Sequence, residues 1–393
     1  MEKSSGNPPL RSLDDLRIEI DEVDKELVRW LARRMRLSYE VGRVKRAQGL
    51  PLFDPDREEA ILKKLVTLNT EPLLTPPILR SIYREILAAS RSLQYPVKVA
   101  FLGPLWTYSH IAALFVFGHD VEYNPCSSME EVFESVARNR YDIAVVPVEN
   151  SVEGSIGITM DLMYRYDLYI VRECYVAMEY HLAGNVEDLK EIREVYAHPR
   201  AFSQCRRWLA EHLSDVALVE CSSTAQAAEL CREVRGRAAL CNLYAAHHFG
   251  LNVVAEHISD YPDSVTRFIA LSREKTSPSG DDKTSIIFGV SHAPGALYRA
   301  LEPCVRHGVN LTRIESRPAR VPLKSYLFFV DLEGHENDPS VRAALSEMED
   351  ALPFVKILGS YPRASDEPVK VNKEMIRSES VGGSISCHGA SQV

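Results

Sequence analysis

Between Pro9 and Pro51 the chain carries no proline, and apolar side chains recur at Leu13, Leu16, Ile20, Val23, Leu27 and Leu31. That spacing is the period of one helical face. Ser12-Leu13-Asp14-Asp15 at its start has the form of a capping box. The stretch predicts one helix of about 35 residues, roughly 50 Å long at 1.5 Å per residue. A helix that long cannot bury its stripe within its own small domain, so it needs partners, and pairing of two copies of the chain is the natural solution. Asp54-Pro55 reads as an N-cap and first helical position of a second helix ending near Asn69, and Thr75-Pro76 opens a third to about Gln94.

Periodicity changes near residues 96, 274 and 364. Val97–Gly103 reads as a buried strand, and further strand-like runs (142–148, 168–173, 194–197, 216–220, 238–241, 252–255) alternate with helical ones (107–117, 128–139, 200–212, 224–235). This is the α/β pattern, and its length fits two lobes with a cleft between them. A polar linker covers 273–283. After it come a strand at 284–291, a helix from Pro294 to about Arg306, strands at 309–317 and 325–332, a helix at 338–351 and a strand at 355–360. That order, βαββαβ, is a ferredoxin-like unit. Residues 364–393 are rich in serine, glycine and charge and are expected to be disordered. The domain reading is therefore 10–95, 97–272, 283–362 and a tail.

The 393 residues carry 46 basic and 55 acidic side chains, a net charge of −9, which argues against a general nucleic-acid binder. The charge is uneven: residues 1–95 hold 17 basic and 15 acidic groups, so the surplus of acid lies entirely beyond them and the first quarter favours an anionic ligand. No apolar run reaches membrane-spanning length and the N-terminus lacks a signal peptide's apolar stretch, so no membrane association is expected. The eight cysteines form no C-x-x-C pair. They suit reduced thiols in a cytoplasm, with neither metal nor disulfide framework signalled, and no cofactor is expected.

Beyond Leu31 the stripe of the first helix continues through Arg34, Ser38, Val41 and Lys45. Arg34 and Lys45 lie 11 residues apart, three turns, on the buried face, and Arg17 sits beside the stripe. Cations there need partners. Spacing alone leaves open internal salt bridges to Glu40, Asp54 or Glu58, snorkelling to the surface, or an anionic ligand.

Leu16-Arg17, Asp24, Leu27, Arg34, Glu40-Val41-Gly42, Lys45, Asp54-Pro-Asp-Arg57-Glu58, Ser90 and Gln94 together resemble the helical chorismate mutase family over residues 10–95. The resemblance implies an all-α intertwined dimer, with Arg34 and Lys45 in a copy's own pocket and Arg17 reaching into the partner's. Chorismate is a dicarboxylate that rearranges to prephenate pericyclically, without a nucleophile. The pocket must hold the compact conformer and stabilise charge on the ether oxygen. Lys45 and Gln94 are expected on that oxygen, Asp54 and Glu58 on the ring hydroxyl, and Ser90 and the arginines on carboxylates.

The middle segment places polar groups after apolar strands, where α/β clefts bind ligands. Ser109 and His198 could begin a hydrolase triad, but no G-x-S-x-G elbow is present. The runs VAFLGP at 99–104, Thr107-Tyr108-Ser109, VPVENSVEGSI at 146–156, HPRAFSQC at 198–205, Ser223-Thr224-Ala225 and VTRF at 265–268 are similar to prephenate dehydratase. The resemblance implies a two-lobed, periplasmic-binding-like α/β fold and conversion of prephenate to phenylpyruvate. It makes Thr266 the essential hydroxyl, Arg267 a carboxylate or positioning partner, and Glu149, Asn150, Ser151 and Phe268 part of the cleft. Threonine is a poor acid, so it is expected to orient or relay a proton. Trp106, Arg200 and Ser264 depart from the family's usual glycine, glutamine and asparagine, and Trp106 is expected to strain a loop that suits glycine.

In the last unit, Gly295-Ala296-Leu297-Tyr298 and Glu315-Ser316-Arg317-Pro318 could be a helix cap and a turn. They also resemble the phenylalanine-binding motifs of ACT domains attached to prephenate dehydratases. That resemblance implies an α+β ACT fold, side-by-side pairing across a dimer and feedback inhibition by L-phenylalanine. The whole chain thus resembles the bifunctional chorismate mutase/prephenate dehydratases, the P-proteins. The expected partners are chorismate, prephenate and phenylalanine, in a homodimer or a tetramer. Two rivals remain: a mutase whose second unit prefers arogenate or is impaired, and a non-catalytic amino-acid sensor.

Overall fold

The computed structural model describes residues 11–48, 55–94, 97–119, 121–318, 326–365 and 367–371, the side chains of Pro55, Asp56 and Gln94 excepted. Three helices open the chain: α1 (Leu13–Gln48), α2 (Pro55–Leu68) and α3 (Pro76–Gln94). The Ser12 hydroxyl accepts the Asp15 N–H at 3.1 Å and donates to the Asp15 carboxylate at 2.7 Å, which fixes the start of α1. Of the 36 residues of α1 only Gly42 is buried. Leu13, Ile20, Val23, Leu27, Trp30 and Leu37 stay more than half exposed, so one chain leaves the predicted stripe largely uncovered.

The next unit runs β1 (Lys98–Leu102), α4 (Tyr108–Phe117), β2 (Glu122–Cys126), α5 (Met129–Ala137), β3 (Ile143–Asn150), β4 (Gly154–Ser155), α6 (Gly157–Arg165), β5 (Tyr169–Ala177), β6 (His181–Gly184), β7 (Glu194–Ala197), α7 (Pro199–Gln204), α8 (Arg206–His212), β8 (Ala217–Glu220), α9 (Thr224–Cys231), β9 (Arg237–Cys241), α10 (Leu243–His248), β10 (Asn252–Ala255) and β11 (Val265–Ser272). Strands β2-β1-β3-β11-β5 form one sheet, with β4 on β3, and β10-β6-β9-β7-β8 form the other. The chain leaves the first lobe after β5 and returns to it as β11, antiparallel to β3 and β5. The start of β11 therefore lies at the junction of the lobes.

The last unit is β12 (Asp282–Val290), α11 (Ala296–Arg306), β13 (Leu311–Pro318), β14 (Tyr326–Glu333), α12 (Pro339–Ala351) and β15 (Phe354–Pro362), an antiparallel sheet ordered β13-β14-β12-β15. This is the expected βαββαβ order. One face packs on its two helices through Ile286, Phe288, Val330 and Leu345. The other joins the first lobe's core through Ile287, Phe329, Leu358 and Tyr361. Gly359 permits this approach: its φ is 138°, and a Cβ there would lie 2.5 Å from the Ile170 carbonyl oxygen.

The linker is anchored rather than free, because Ser279 Oγ donates to Asp282 at 2.7 Å and Lys63 Nζ to the Ser279 carbonyl at 3.2 Å. The expectation of disorder from 364 onward is corrected for its first part. Val369 bridges Val176, with backbone bonds of 2.7 and 2.9 Å, and Val371 is buried in the core. Residues 372–393 lie outside the described chain. No helix among the described residues is long and apolar enough to cross a membrane.

Candidate functional site

In the helical unit, Arg34 on α1 donates to the Ser90 hydroxyl and, at 3.4 Å, to the Ile86 carbonyl, and Ser90 donates to that carbonyl at 2.7 Å. Burial lowers the Arg34 pKa, with Tyr83 and Glu58 opposing. Lys45 is half-buried on the same helix. Arg17 is exposed beside Asp14 at 3.5 Å. It lies 17 residues before Arg34, about 25 Å along the axis. The two cannot clamp one small dicarboxylate within one chain.

Glu58 departs from expectation. It is buried in ion pairs with Arg91 at 2.5 Å and with Arg172 of β5 at 3.4 Å, because α2 and α3 lie against the neighbouring lobe. Asp54 and the side chain of Gln94 fall outside the described residues.

In the second unit, Thr266 and Asn150 face each other across the β11–β3 register. Thr266 is 4% exposed. Asn150 Nδ2 donates to Thr266 Oγ1 at 2.9 Å and to Ser264 Oγ at 3.2 Å. Its Oδ1 accepts the Val152 and Glu153 N–H groups at 2.9 and 3.0 Å, which fixes the orientation of the amide. An amide that donates to Oγ1 leaves the threonine proton free for another acceptor. Ser151 Oγ accepts the Val265 N–H at 3.0 Å and holds the strand end. Across the cleft, Glu153 meets Gln204 and Arg200 of α7, each at 3.0 Å. Arg200, one of the departures from the family pattern, thus ties the two lobes. Sequence reasoning missed Glu153 and Gln204 as this bridge.

The carboxylate role expected of Arg267 and the cleft place expected of Glu149 are corrected by strand alternation, and that of Phe268 by its burial. Arg267 points away from Thr266, toward the last unit. Its guanidinium meets Glu173 at 2.9 Å, Asp331 at 2.6 Å and the Tyr361 hydroxyl at 2.8 Å, which leaves it no free edge for a substrate carboxylate. Glu149 points the same way and pairs with Arg313. Phe268 is 2% exposed and packs in the core that holds Trp106 and Tyr108.

Trp106 has φ 69°, the left-handed region that favours glycine, which is strained for a bulky residue. The ring stacks on His248 at 4.4 Å, and Asn242 Nδ2 donates to its carbonyl at 2.9 Å, so contacts from the second lobe hold it there.

In the last unit, Gly295 opens α11 at φ 74°, Ala296 and Leu297 join the local core, and Tyr298 is 73% exposed. On β13, Glu315 and Arg317 turn toward the first lobe, where Arg317 pairs with Asp161 at 3.4 Å, and Ser316 and Pro318 are exposed on the other face. The motif is therefore split between two faces.

Glu173, Lys283, Arg313, Asp331 and Tyr361 were not anticipated as a group. Their signal was the charges Glu173, Lys283 and Asp331 inside otherwise buried strands, which require partners. Glu179, His181 and His257 bring possible cation ligands within 4.8 Å of one another, but His181 Nδ1 already accepts the His257 backbone N–H at 3.3 Å.

The chain matches the chorismate mutase type II family over residues 16–95, the prephenate dehydratase family over 99–276 and the ACT domain over 284–350. It is 42% identical to the bifunctional chorismate mutase/prephenate dehydratase of Aquifex aeolicus, over 90% of this chain and 99% of that protein. It is 35% identical to arogenate dehydratase/prephenate dehydratase 2 of Arabidopsis thaliana, over 74% of this chain and 78% of that protein. Among solved structures, the prephenate dehydratase of Arthrobacter aurescens in complex with L-Phe superposes with a TM-score of 0.64 at 37% identity, over 72% of this chain and 97% of that one.

Proposed function

The chain belongs to the bifunctional chorismate mutase/prephenate dehydratase family, and we propose that its residues divide the work as follows. In the mutase unit, Arg34 and Ser90 bind chorismate, Arg17 comes from a second copy, and Lys45 with Gln94 stabilises charge on the ether oxygen as that bond breaks and the new carbon–carbon bond forms. Asp54 takes the ring hydroxyl. Glu58, held by Arg91 and Arg172, shapes the pocket wall.

In the dehydratase unit, the ring carboxylate of prephenate leaves as carbon dioxide. Its electron pair enters the ring, the hydroxyl departs and is protonated to water, and phenylpyruvate remains. The observation that carries this reading is the Asn150–Thr266 pair at the junction of the lobes, in which Oγ1 accepts and its proton is left for another acceptor. Thr266 donates that hydrogen bond to the departing hydroxyl. Arg267 positions the strand from its far side. L-Phenylalanine acts on the ACT unit and lowers the dehydratase rate, in a homodimer. The free, mostly buried thiols among the described residues suit a reducing cytoplasm.

The test incubates purified protein with chorismate and follows prephenate and phenylpyruvate separately, with and without phenylalanine, beside a parallel assay on arogenate. Sequential appearance of both products supports the reading. Faster turnover of arogenate replaces the second substrate, and absence of any turnover leaves a sensor.

A further inference from the structure

Both polar residues at the cleft have a sequence neighbour on the opposite face of their strand that is gripped by the ACT sheet. Asn150 follows Glu149, which pairs with Arg313 of β13, and Arg313 Nη2 also donates to Ser155 at 3.0 Å. Thr266 precedes Arg267, which pairs with Asp331 of β14. Arg313 and Asp331 are themselves opposite each other in the β13–β14 register. One rung of the ACT sheet therefore holds both strands of the site from behind.

The grip is buried and every charge in it is paired. Arg267, Glu173, Asp331, Lys283 and Tyr361 are each at most 7% exposed. Two cations face two carboxylates, and the remaining valences are filled. Lys283 donates to Glu173 at 2.8 and 3.1 Å, and Ser285 to Asp331 at 2.5 Å. Burial alone would raise the Asp331 pKa, but Arg267, Ser285, Arg313 and Lys283 outweigh it and hold the carboxyl below its usual range. A charge in such a cluster cannot lose its partner without another group moving. Between the two pairs lies a cavity of about 220 Å³, lined among others by Glu149, Arg267, Arg313 and Asp331, which gives these side chains room for a second arrangement.

We propose that Asp331, together with Arg313, is a positioning residue of the dehydratase: through Arg267 and Glu149 it sets the spacing of Thr266 and Asn150, and this rung carries the effector's signal from the ACT unit to the cleft. The inference rests on the dehydratase reading above. It adds the coupling element that the motif on β13 requires, since Glu315 and Arg317 lie on the same face of the same strand as Arg313.

The experiment uses the full chain and the variant Asp331→Asn, with Tyr361→Phe as a milder second variant that keeps the ring packing. Four quantities are read: dehydratase kcat and KM on prephenate, depth of inhibition by phenylalanine, phenylalanine binding by calorimetry, and mutase rate as a control for folding. The expected result for Asp331→Asn is a kcat roughly tenfold lower, as for loss of a charged hydrogen bond, with KM unchanged, phenylalanine still bound and inhibition shallower. An ion cluster that serves only stability would lower the melting temperature and leave kcat and inhibition as in wild type, and that outcome overturns the proposal. If Asp331→Asn does not fold, Tyr361→Phe decides by the same readouts: kcat and inhibition at wild-type values overturn it. A wild-type protein that forms no phenylpyruvate refutes the dehydratase reading itself, and this is seen before any variant is made.

Discussion

With its own oxygen engaged by two backbone N–H groups, Asn150 turns its amide nitrogen on Thr266 Oγ1, so the threonine proton must find its acceptor elsewhere. Removal of one preorganised donor costs about 10²–10³ in rate. Thr266→Ala should lower phenylpyruvate formation from prephenate by that factor and leave chorismate consumption intact. Lys45→Ala should do the reverse, because Lys45 lies on the helix that carries Arg34 and has no part in the cleft. Parallel loss of both activities in either variant refutes the assignment. His110 offers a test on stability. Burial, then His119 and His248, hold its imidazole at about 3, and its Nδ1 accepts the Trp106 N–H at 3.1 Å. The unfolded chain takes up this proton near 6.5 and the folded chain does not, so stability is complete above 6.5 and falls as the pH drops toward 3. Between pH 7 and pH 5 the loss should be about 2 kcal/mol. Urea titration followed by tryptophan fluorescence should show that slope in wild type and a flatter one in His110→Gln. An unchanged slope would exclude His110 as its source.

The elements differ in what they ask of a partner. α1 was readable because its signal is local: a cap, an unbroken period and no proline give a helix predicted at about 35 residues and observed at 36. Its function is not local, since the stripe stays open in one chain. Leu27→Glu should therefore convert a dimer to monomers in sedimentation velocity and abolish mutase turnover, while the rate on prephenate holds. A dimer that survives the charge would place the interface elsewhere. The βαββαβ unit was equally legible, each of its strands being eight or nine residues long. β2 was not, for it carries polar residues and Pro125 in only five positions, and β6, His181–Gly184, carries only two apolar side chains. β11 was noticed as a motif without being read as a strand, and this decided what was missed at the site. Only once β11 is known to pair with β3, with Thr266 opposite Asn150, does a period of two send Arg267 and Glu149 to the far face. That register is a tertiary fact which a list of neighbours in sequence cannot supply. The same limit hid the diversion of Glu58, whose second partner, Arg172, lies 114 residues away.

Across the whole molecule, three units share continuous packing: α2 reaches β5 through Glu58 and Arg172, and the ACT sheet reaches β3, β5 and β11 through its buried charges. A ligand on the last unit can therefore bias the second only by favouring one arrangement of that junction. The exposed Tyr298, Val305 and Ile314 leave an apolar part of the ACT unit's surface open in one chain. Gly295 sits at φ 74°, and a Cβ there would lie 3.0 Å from the Arg299 guanidinium, so Gly295→Val distorts the turn that opens α11. Phenylalanine titrated into wild type should bind and inhibit the dehydratase, and Gly295→Val should bind it weakly and escape inhibition with its uninhibited rate unchanged. Coupling of about 1–3 kcal/mol corresponds to affinity changes of roughly 5–150-fold. Because coupling is reciprocal, saturating prephenate should weaken phenylalanine binding by the same factor by which phenylalanine weakens prephenate binding. That is measurable by calorimetry in Thr266→Ala, where substrate is bound but slowly consumed. Equal phenylalanine affinity in wild type and Gly295→Val would remove the effector from this turn, and phenylalanine affinity indifferent to prephenate would leave a sensor without a line to the cleft.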